Sequence, residues 1–274
     1  MSTALFEIPV VIPDLRTFDL IVVNSSAGKD SMAMLAYVAE QAKQAGVSAR
    51  LVVIHNDLGT TDTGEPVEWP GVEALAREHA QQYGIRFETT RRDKGGLWDQ
   101  LLNERHLWPS SSARWCTSDQ KTSQGVKVVT RLVRDWRRAR GLRPAAGRPV
   151  EVLYCLGIRA QESRDRAKKL ALEVDEAHSS PRRTITRWLP IHGWTVKQVW
   201  DQIKAAGLRP HTAYAQGMKR LSCSLCVLAS PSDLVTAARL RPALAADYLR
   251  AEKQLGHRFR NDLSMQDIVT LAGA

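Results

Sequence analysis

Asn24-Ser25-Ser26-Ala27-Gly28-Lys29-Asp30-Ser31 packs hydroxyls, a glycine, an ammonium and a carboxylate into one short stretch. Those residue types suit the holding of phosphate. Gly28 lets backbone approach an anion closely, and Ser26, Lys29 and Ser31 add donors to a loop opened by Ser25. The stretch is not a Walker A loop, which needs four residues between its first glycine and Gly-Lys-Ser/Thr. A second constellation, Gly157-Ile158-Arg159-Ala160-Gln161-Glu162-Ser163-Arg164-Asp165-Arg166, again places a glycine before a dense run of arginine. There Arg159 and Arg166 can grip phosphate or sulfate with forked hydrogen bonds, Gly157 permits close ligand approach, and Glu162 can pair with an arginine or help position Mg²⁺. The third set is made of thiols: Cys116 after Arg114-Trp115, and Cys223-Ser224-Leu225-Cys226. A Cys-x-x-Cys pair binds zinc, holds a cluster or cycles as a dithiol. If Cys116 converges on it, three thiolates are available for a [4Fe–4S] cluster with one iron left open. Zinc with a histidine is the alternative, and bare thiols the third. A basic neighbour and a following helix are expected to lower the Cys116 thiol pKa.

The elements around these residues are those of an α/β domain. Leu20-Ile21-Val22-Val23 is a β-branched run that predicts a strand over 19–24, and Met32, Leu35, Ala36 and Ala39 predict a helix over 30–45. The phosphate loop therefore lies between a strand and a helix N-terminus, where unpaired N–H groups and the helix dipole favour an anion. A second strand at 50–55 completes a right-handed crossover unit. A helix over 69–83, a strand over 85–90, a helix over 123–140 and a strand over 150–156 continue the alternation. His79 on the 69–83 helix is read as packed, and Cys155 in the last strand as a buried hydrophobe. Residues 171–184 are polar and expected to be mobile, Trp188, Trp194 and Trp200 are expected in the core, and Thr195 is a natural N-cap. The predicted fold is an open, mostly parallel sheet with helices on both faces, plus a small, mostly helical region holding the Cys-x-x-Cys pair. The expected boundaries are an arm over 1–17, the α/β domain over 18–205 and the C-terminal region over 206–274.

The chain has 274 residues and a formal net charge of +10, from 39 basic and 29 acidic side chains. That balance suits a polyanionic partner: a nucleotide, DNA or tRNA. Arg131, Arg134, Arg137, Arg138, Arg140, Arg143 and Arg148 concentrate it, with Asp135 the one acid within the helix's basic half. Such a run is either a solvated face or a phosphate track. No run of about 18 apolar residues is present, so no membrane partner is expected. With no evident signal peptide, the chain is expected in the cytoplasm, and its four cysteines are not expected to form a disulfide framework.

Ser26-Ala27-Gly28-Lys29-Asp30-Ser31 resembles the Ser-Gly-Gly-Lys-Asp-Ser pyrophosphate loop of the phosphoadenosine phosphosulfate (PAPS) reductase family, within the adenine-nucleotide α-hydrolases or PP-loop ATP pyrophosphatases. Ala27 replaces the second glycine and is expected to fit only with a negative φ. Residues 157–166 resemble the family's Gly-Ile-Arg-x-x-Glu-Ser-x-x-Arg motif, Pro190 to Trp200 its Pro-Ile-x-x-Trp-Thr-x-x-x-Val-Trp segment, and Tyr214 to Cys226 its Tyr-x-x-Gly-x-x-Arg-x-x-Cys-x-x-Cys pattern. The resemblance covers about residues 19–227. It implies nucleotide contacts from Asp57 and Gly59, although Asp57 could equally cap the next segment. Thr117 stands where iron–sulfur members carry a second cysteine beside Cys116. No cysteine follows Cys226, so the mobile catalytic cysteine of thioredoxin-dependent members is not expected.

Three functions follow from the resemblance. The first is an adenylating ATP pyrophosphatase supporting sulfur insertion into nucleic acid, with Lys29, Asp30 and Arg159 in the catalytic role. It would use ATP, Mg²⁺ and a cluster on Cys116, Cys223 and Cys226. In this form it is similar to the sulfur-activating subunit of DNA phosphorothioation systems or a tRNA thiolation enzyme, and a cysteine desulfurase would be its partner. The second is reduction or transfer of sulfate from PAPS or adenosine phosphosulfate (APS) by cysteine thiols. The third is a nucleotide-binding subunit without turnover.

Overall fold

The computed structural model describes residues 11–142 and 147–273, so residues 1–10 of the expected arm and Arg143 of the basic stretch lie outside the described residues. Along the chain run β1 (Leu20–Asn24), α1 (Lys29–Gln44), β2 (Leu51–Asn56), α2 (Val72–Gln82), β3 (Arg86–Thr90), α3 (Leu97–Gln100), α4 (Trp115–Thr117), α5 (Ser123–Arg138), β4 (Val150–Cys155), α6 (Arg164–Ala167), β5 (Leu172–Val174), β6 (Arg183–Trp188), α7 (Val196–Ala205), α8 (Pro231–Leu240), α9 (Pro242–Leu255) and α10 (Met265–Ala272). They gather into two compact units that interleave in sequence. The first comprises 1–55, 76–88 and 128–210; the second comprises 56–75, 89–127 and 211–274. The C-terminal segment thus shares its unit with two earlier stretches.

The first unit is organised by a six-stranded sheet in the order β3-β2-β1-β4-β6-β5. β1 pairs in parallel with β2 and β4, β4 pairs in parallel with β6, and β5 pairs antiparallel with β6. β1 is apolar on both faces because both are covered. Ile21 and Val23 meet Met32, Leu35 and Val38 of α1 together with Val199 and Ile203 of α7. Leu20 and Val22, pointing the other way, meet Val128, Val129, Leu132 and Val133 of α5. The buried positions of α5 recur at helical spacing, which leaves Arg134 and Arg138 exposed, whereas Arg137 is buried. Trp188 is fully buried, and Trp194 and Trp200 pack against the same core. Thr195 caps α7 by accepting from the Gln198 N–H at 3.2 Å.

Residues 171–184, expected to be mobile, instead include β5, whose Leu172 pairs with Trp188 of β6. The sequence there lacks strand alternation because β5 is a short strand on the sheet's edge, fixed by its partner rather than by its own propensity.

The second unit is mostly helical. Tyr248 of α9 packs against Trp98, Trp108 and Phe259 with ring centroids 5.4, 5.1 and 6.1 Å away. The buried Arg241 donates to the Ser224 hydroxyl at 2.7 Å and to the carbonyls of Glu68 and Pro66 at 2.9 Å, which ties down the Cys-x-x-Cys loop. Among the described residues no helix is long and apolar enough to cross a membrane.

Candidate functional site

In the first unit, two loops leave the carboxyl ends of neighbouring parallel strands. β1 has β2 on one side and β4 on the other, so the chain winds in opposite directions from it, and a cleft at such a switch point is where open α/β sheets bind ligands. Pairing of Val23 with Cys155 brings the loop 25–28 and the segment 157–166 out side by side. The Asn24 amide donates to the Cys155 carbonyl at 3.1 Å and accepts from the Tyr154 hydroxyl at 2.9 Å, fixing the two strand ends.

The phosphate loop is held by its own hydroxyls. Ser25 N–H donates to Ile54 and Ser25 O accepts from the buried His55 ring at 3.0 Å. The Ala27 N–H donates to Ser25 Oγ, the Ser26 N–H to Ser31 Oγ, both at 3.3 Å, and Ser31 Oγ donates back to Gly28 O at 2.9 Å. Gly28 is the N-cap of α1, at φ −78°. The expectation for Ala27 is overturned: its φ is +53°, so alanine occupies a left-handed turn that favours glycine. The hydroxyl bonds on either side impose that geometry against a cost of about 1–2 kcal/mol for a Cβ there. Ala27→Gly is accordingly expected to leave the fold equally stable or up to about 1 kcal/mol more stable, since relief of strain exceeds the added unfolded-state entropy. Urea unfolding checks this, and a loss of more than about 1 kcal/mol would contradict it.

Asp30 is the hub of the site. Its carboxylate accepts from Lys29 Nζ at 3.1 Å through one oxygen and from Arg159 Nε at 2.5 Å through the other. Lys29 and Arg159 are both buried, 6% and 3% exposed, so two cations are desolvated against one carboxylate at the start of α1. Arg159 is aimed by further bonds to Gln161 Oε1 at 3.1 Å and the Trp194 carbonyl at 3.3 Å. Gly157 packs against the loop itself. A Cβ there would lie 3.1 Å from the carbonyl carbon and oxygen of Asp30 and from the Ser31 nitrogen, so it is the loop's own backbone that needs the space. Glu162 pairs with Arg166 and accepts the Arg159 N–H at 2.9 Å, taking the arginine-pairing role of its two sequence alternatives.

Asp57 and Gly59 lie in the second unit. Asp57 accepts the Gly59 N–H at 2.8 Å and pairs with Arg91, a local turn of the capping kind. Gly59, at φ +80°, leaves only 3.2 Å between a Cβ and Gly96 Cα.

The thiols of Cys116, Cys223 and Cys226 also lie in the second unit, around Lys121. Cys223 forms an isolated bridge with Glu68. The Cys223 thiol donates to Cys226, which holds the Cys226 thiol well below its ordinary value, with the Leu228 N–H, Arg220 and Lys121 adding to the effect. Burial pushes the Cys116 thiol up, against the pull of Lys121 and Arg114, so its expected lowering is reversed. Facing Cys223 first, then Glu68 and the other thiols, the Lys121 ammonium is held more firmly protonated. Lys121 is a neighbour of the thiols that the sequence did not bring to them; its one signal was its position five residues past Cys116. Among the described residues no group of three or more His, Cys, Asp or Glu is arranged to hold a metal ion. The Lys121 ammonium faces the same thiols. The assignment of Cys116, Cys223 and Cys226 to a [4Fe–4S] cluster or zinc is therefore without support in this arrangement. Cys155 is fully buried in β4 and its thiol is pushed well up by burial, as a structural cysteine requires.

The family model of the phosphoadenosine phosphosulfate reductase domain matches residues 20–229. The chain belongs to this family. It is 32% identical over 161 residues to an uncharacterized 37.8 kDa protein in the gpa 5′ region of Escherichia phage 186, covering 58% of this chain and 43% of that one. The chain thus spans under half the length of that curated relative. Among solved structures it is similar to phosphoadenylyl-sulfate (PAPS) reductase from Candida auris in a phosphate complex, at TM-score 0.45 and 16% identity over 76% of this chain and 83% of that one. It is also similar to Candida glabrata FMN adenylyltransferase in complex with FAD and inorganic pyrophosphate, at TM-score 0.44 and 12% identity over 75% and 56%. Of the motifs described above, the loop 25–31 departs from the family's pattern at Ala27, and the Cys116 segment departs at Thr117.

Proposed function

We propose that this PAPS reductase family chain binds ATP at the loop 25–31 and cleaves it between the α- and β-phosphates, adenylating a nucleic-acid acceptor for sulfur insertion. The observation carrying this reading is Asp30 bridged by the buried Lys29 and Arg159 at the N-terminus of α1. Two cations and the first-turn N–H groups form a preorganised site for negative charge that grows on a departing pyrophosphate. ATP brings Mg²⁺ with it as part of the substrate. An acceptor oxygen attacks the α-phosphorus, the α–β bridging P–O bond breaks with its electron pair going to pyrophosphate, and the acceptor keeps AMP. Lys29 and Arg159 follow the charge onto the leaving group, while Asp30 keeps both aimed and Gly157 lets the two loops close on each other. A cysteine desulfurase would supply sulfur afterwards.

A second reading, thiol-dependent reduction of PAPS or APS, is favoured by the hydrogen-bonded Cys223–Cys226 pair. Incubation with each nucleotide separates the two: pyrophosphate from ATP, stimulated by DNA or tRNA, supports adenylation, and sulfite from a sulfonucleotide supports reduction. Nucleotide binding with neither product would leave a non-catalytic subunit.

A further inference from the structure

Arg159 reaches Asp30 from the segment 157–166, which holds only short helical turns. With no long helix or strand of its own to fix it, the segment depends on bonds to neighbouring elements, and those bonds decide where the arginine points. Several of them come from one turn of the same unit, at 189–194, which joins β6 to α7.

His192 in that turn grips the segment at two points. Its carbonyl accepts the Ala160 N–H at 2.8 Å, and its ring Nε2–H donates to the Arg166 carbonyl at 2.9 Å. A carbonyl only accepts, so the ring nitrogen that faces it carries a proton. Two residues on, the Trp194 carbonyl accepts from Arg159 itself at 3.3 Å. The Arg166 end of this clamp leads back to Arg159. The Arg166 guanidinium pairs with Glu162, which accepts the Arg159 N–H at 2.9 Å, and the Ser163 hydroxyl accepts the Arg166 N–H at 3.2 Å. A ring bond to Arg166 thus fixes one end of a short chain of contacts whose other end is the Arg159 backbone.

The ring is an uneconomical way to fill space. His192 is 3% exposed, and its Nδ1 is buried with no hydrogen-bond partner. The bond made at Nε2 and the desolvated lone pair left at Nδ1 oppose each other in stability, so an apolar side chain of similar size would serve the core as well. What an apolar side chain would not supply is the donor at the Arg166 carbonyl.

We infer that His192 is a positioning residue for the nucleotide site. Through the Arg166 and Ala160 bonds it holds the segment 159–166 so that Arg159 Nε stays on the Asp30 carboxylate. The inference rests on the proposed role of Arg159 at the departing pyrophosphate, and His192 acts only through that arginine.

The test is nuclear magnetic resonance of the ¹⁵N-labelled full chain without nucleotide, reading solvent exchange of the Arg159 Nε–H, identified by its loss in Arg159→Lys. Wild type is expected to show a slowly exchanging signal, because this N–H is buried and donated to a carboxylate at 2.5 Å. His192→Leu keeps the bulk without the donor and is expected to speed that exchange at least about tenfold. His192→Gln, whose terminal amide reaches about as far from Cβ as Nε2 does, is expected to stay within about twofold of wild type. The reference signal is the Trp188 indole N–H, donated to the Val11 carbonyl at 2.8 Å in the same unit and expected to be unchanged in every variant. Equal acceleration of both signals would make His192 an ordinary core residue and overturn the inference. Slow Arg159 exchange in a folded His192→Leu protein would overturn it too, as would a wild type with no slow Arg159 signal. Should the leucine variant not fold, His192→Asn, too short to reach the Arg166 carbonyl, takes its place. In the pyrophosphate assay, kcat/KM is expected to fall about tenfold in His192→Leu and to recover in His192→Gln. A wild-type kcat/KM in a variant whose Arg159 exchanges fast would keep the reaction and reject the positioning role. Because exchange is read without ATP, a chain that never releases pyrophosphate would overturn the proposed reaction and leave the hold of His192 on Arg159 standing.

Discussion

Lys29→Ala is expected to lower pyrophosphate release from ATP by about 100-fold or more at saturating nucleotide, the scale set by removal of one preorganised electrostatic donor. Lys29 is buried beside the carboxylate that also holds Arg159, so deleting its ammonium leaves Asp30 with one cation and the leaving group with less compensation. The fold should survive, because Arg159 still neutralises Asp30. Circular dichroism and a thermal melt run beside the pyrophosphate assay check this. Arg159→Ala is expected to be worse for stability as well as rate, since it leaves the Trp194 carbonyl and Gln161 without their shared donor. A Lys29→Ala protein that turns over at the wild-type rate would remove the loop from the chemistry.

Gly157→Val is expected to act on the same site without touching any charge. Its Cβ meets the Asp30 and Ser31 backbone at 3.1 Å, and backbone within the first turn of a buried helix cannot swing aside as a side chain can. The strand end or the loop must shift, at a cost of about 1–3 kcal/mol in stability. With Asp30 displaced from Arg159, nucleotide affinity is expected to fall at least tenfold, which is about 1.4 kcal/mol. Urea unfolding and isothermal titration with a non-hydrolysable ATP analogue measure the two effects. Wild-type values in both would mean that the loops do not depend on this close approach.

Most of the architecture was legible in the residues. The apolar run Leu20 to Val23, the helical spacing after Asp30 and the runs at 50–55 and 150–156 are patterns whose period or continuity decides their structure, and each formed the predicted element. The α/β class and the family followed from them and from the ordered motifs. β5 was not legible, because an edge strand borrows its order from a neighbour. Ala27 was misjudged because φ preference is local, whereas the Ser25 and Ser31 hydroxyl bonds that override it depend on the folded loop. The close approach of Gly157 to Asp30 and Ser31 was not legible, since that backbone belongs to the first turn of α1, distant in sequence. Cys116 failed in the same way: adjacent charge is visible in the sequence, but the burial that outweighs it is not. The convergence of Lys121 on Cys223 and Cys226, and of Arg182 and Arg183 on the α5 arginines, was invisible for the same reason, being long-range in sequence.

The most direct test of the account is the fate of α-³²P-labelled ATP incubated with the purified chain, Mg²⁺ and a DNA or tRNA acceptor. The expected result is label transferred to the acceptor or released as AMP, with equimolar pyrophosphate, and its loss in Lys29→Ala. Label recovered as ADP, or left in ATP by a chain that binds the nucleotide, would contradict α–β cleavage at this loop.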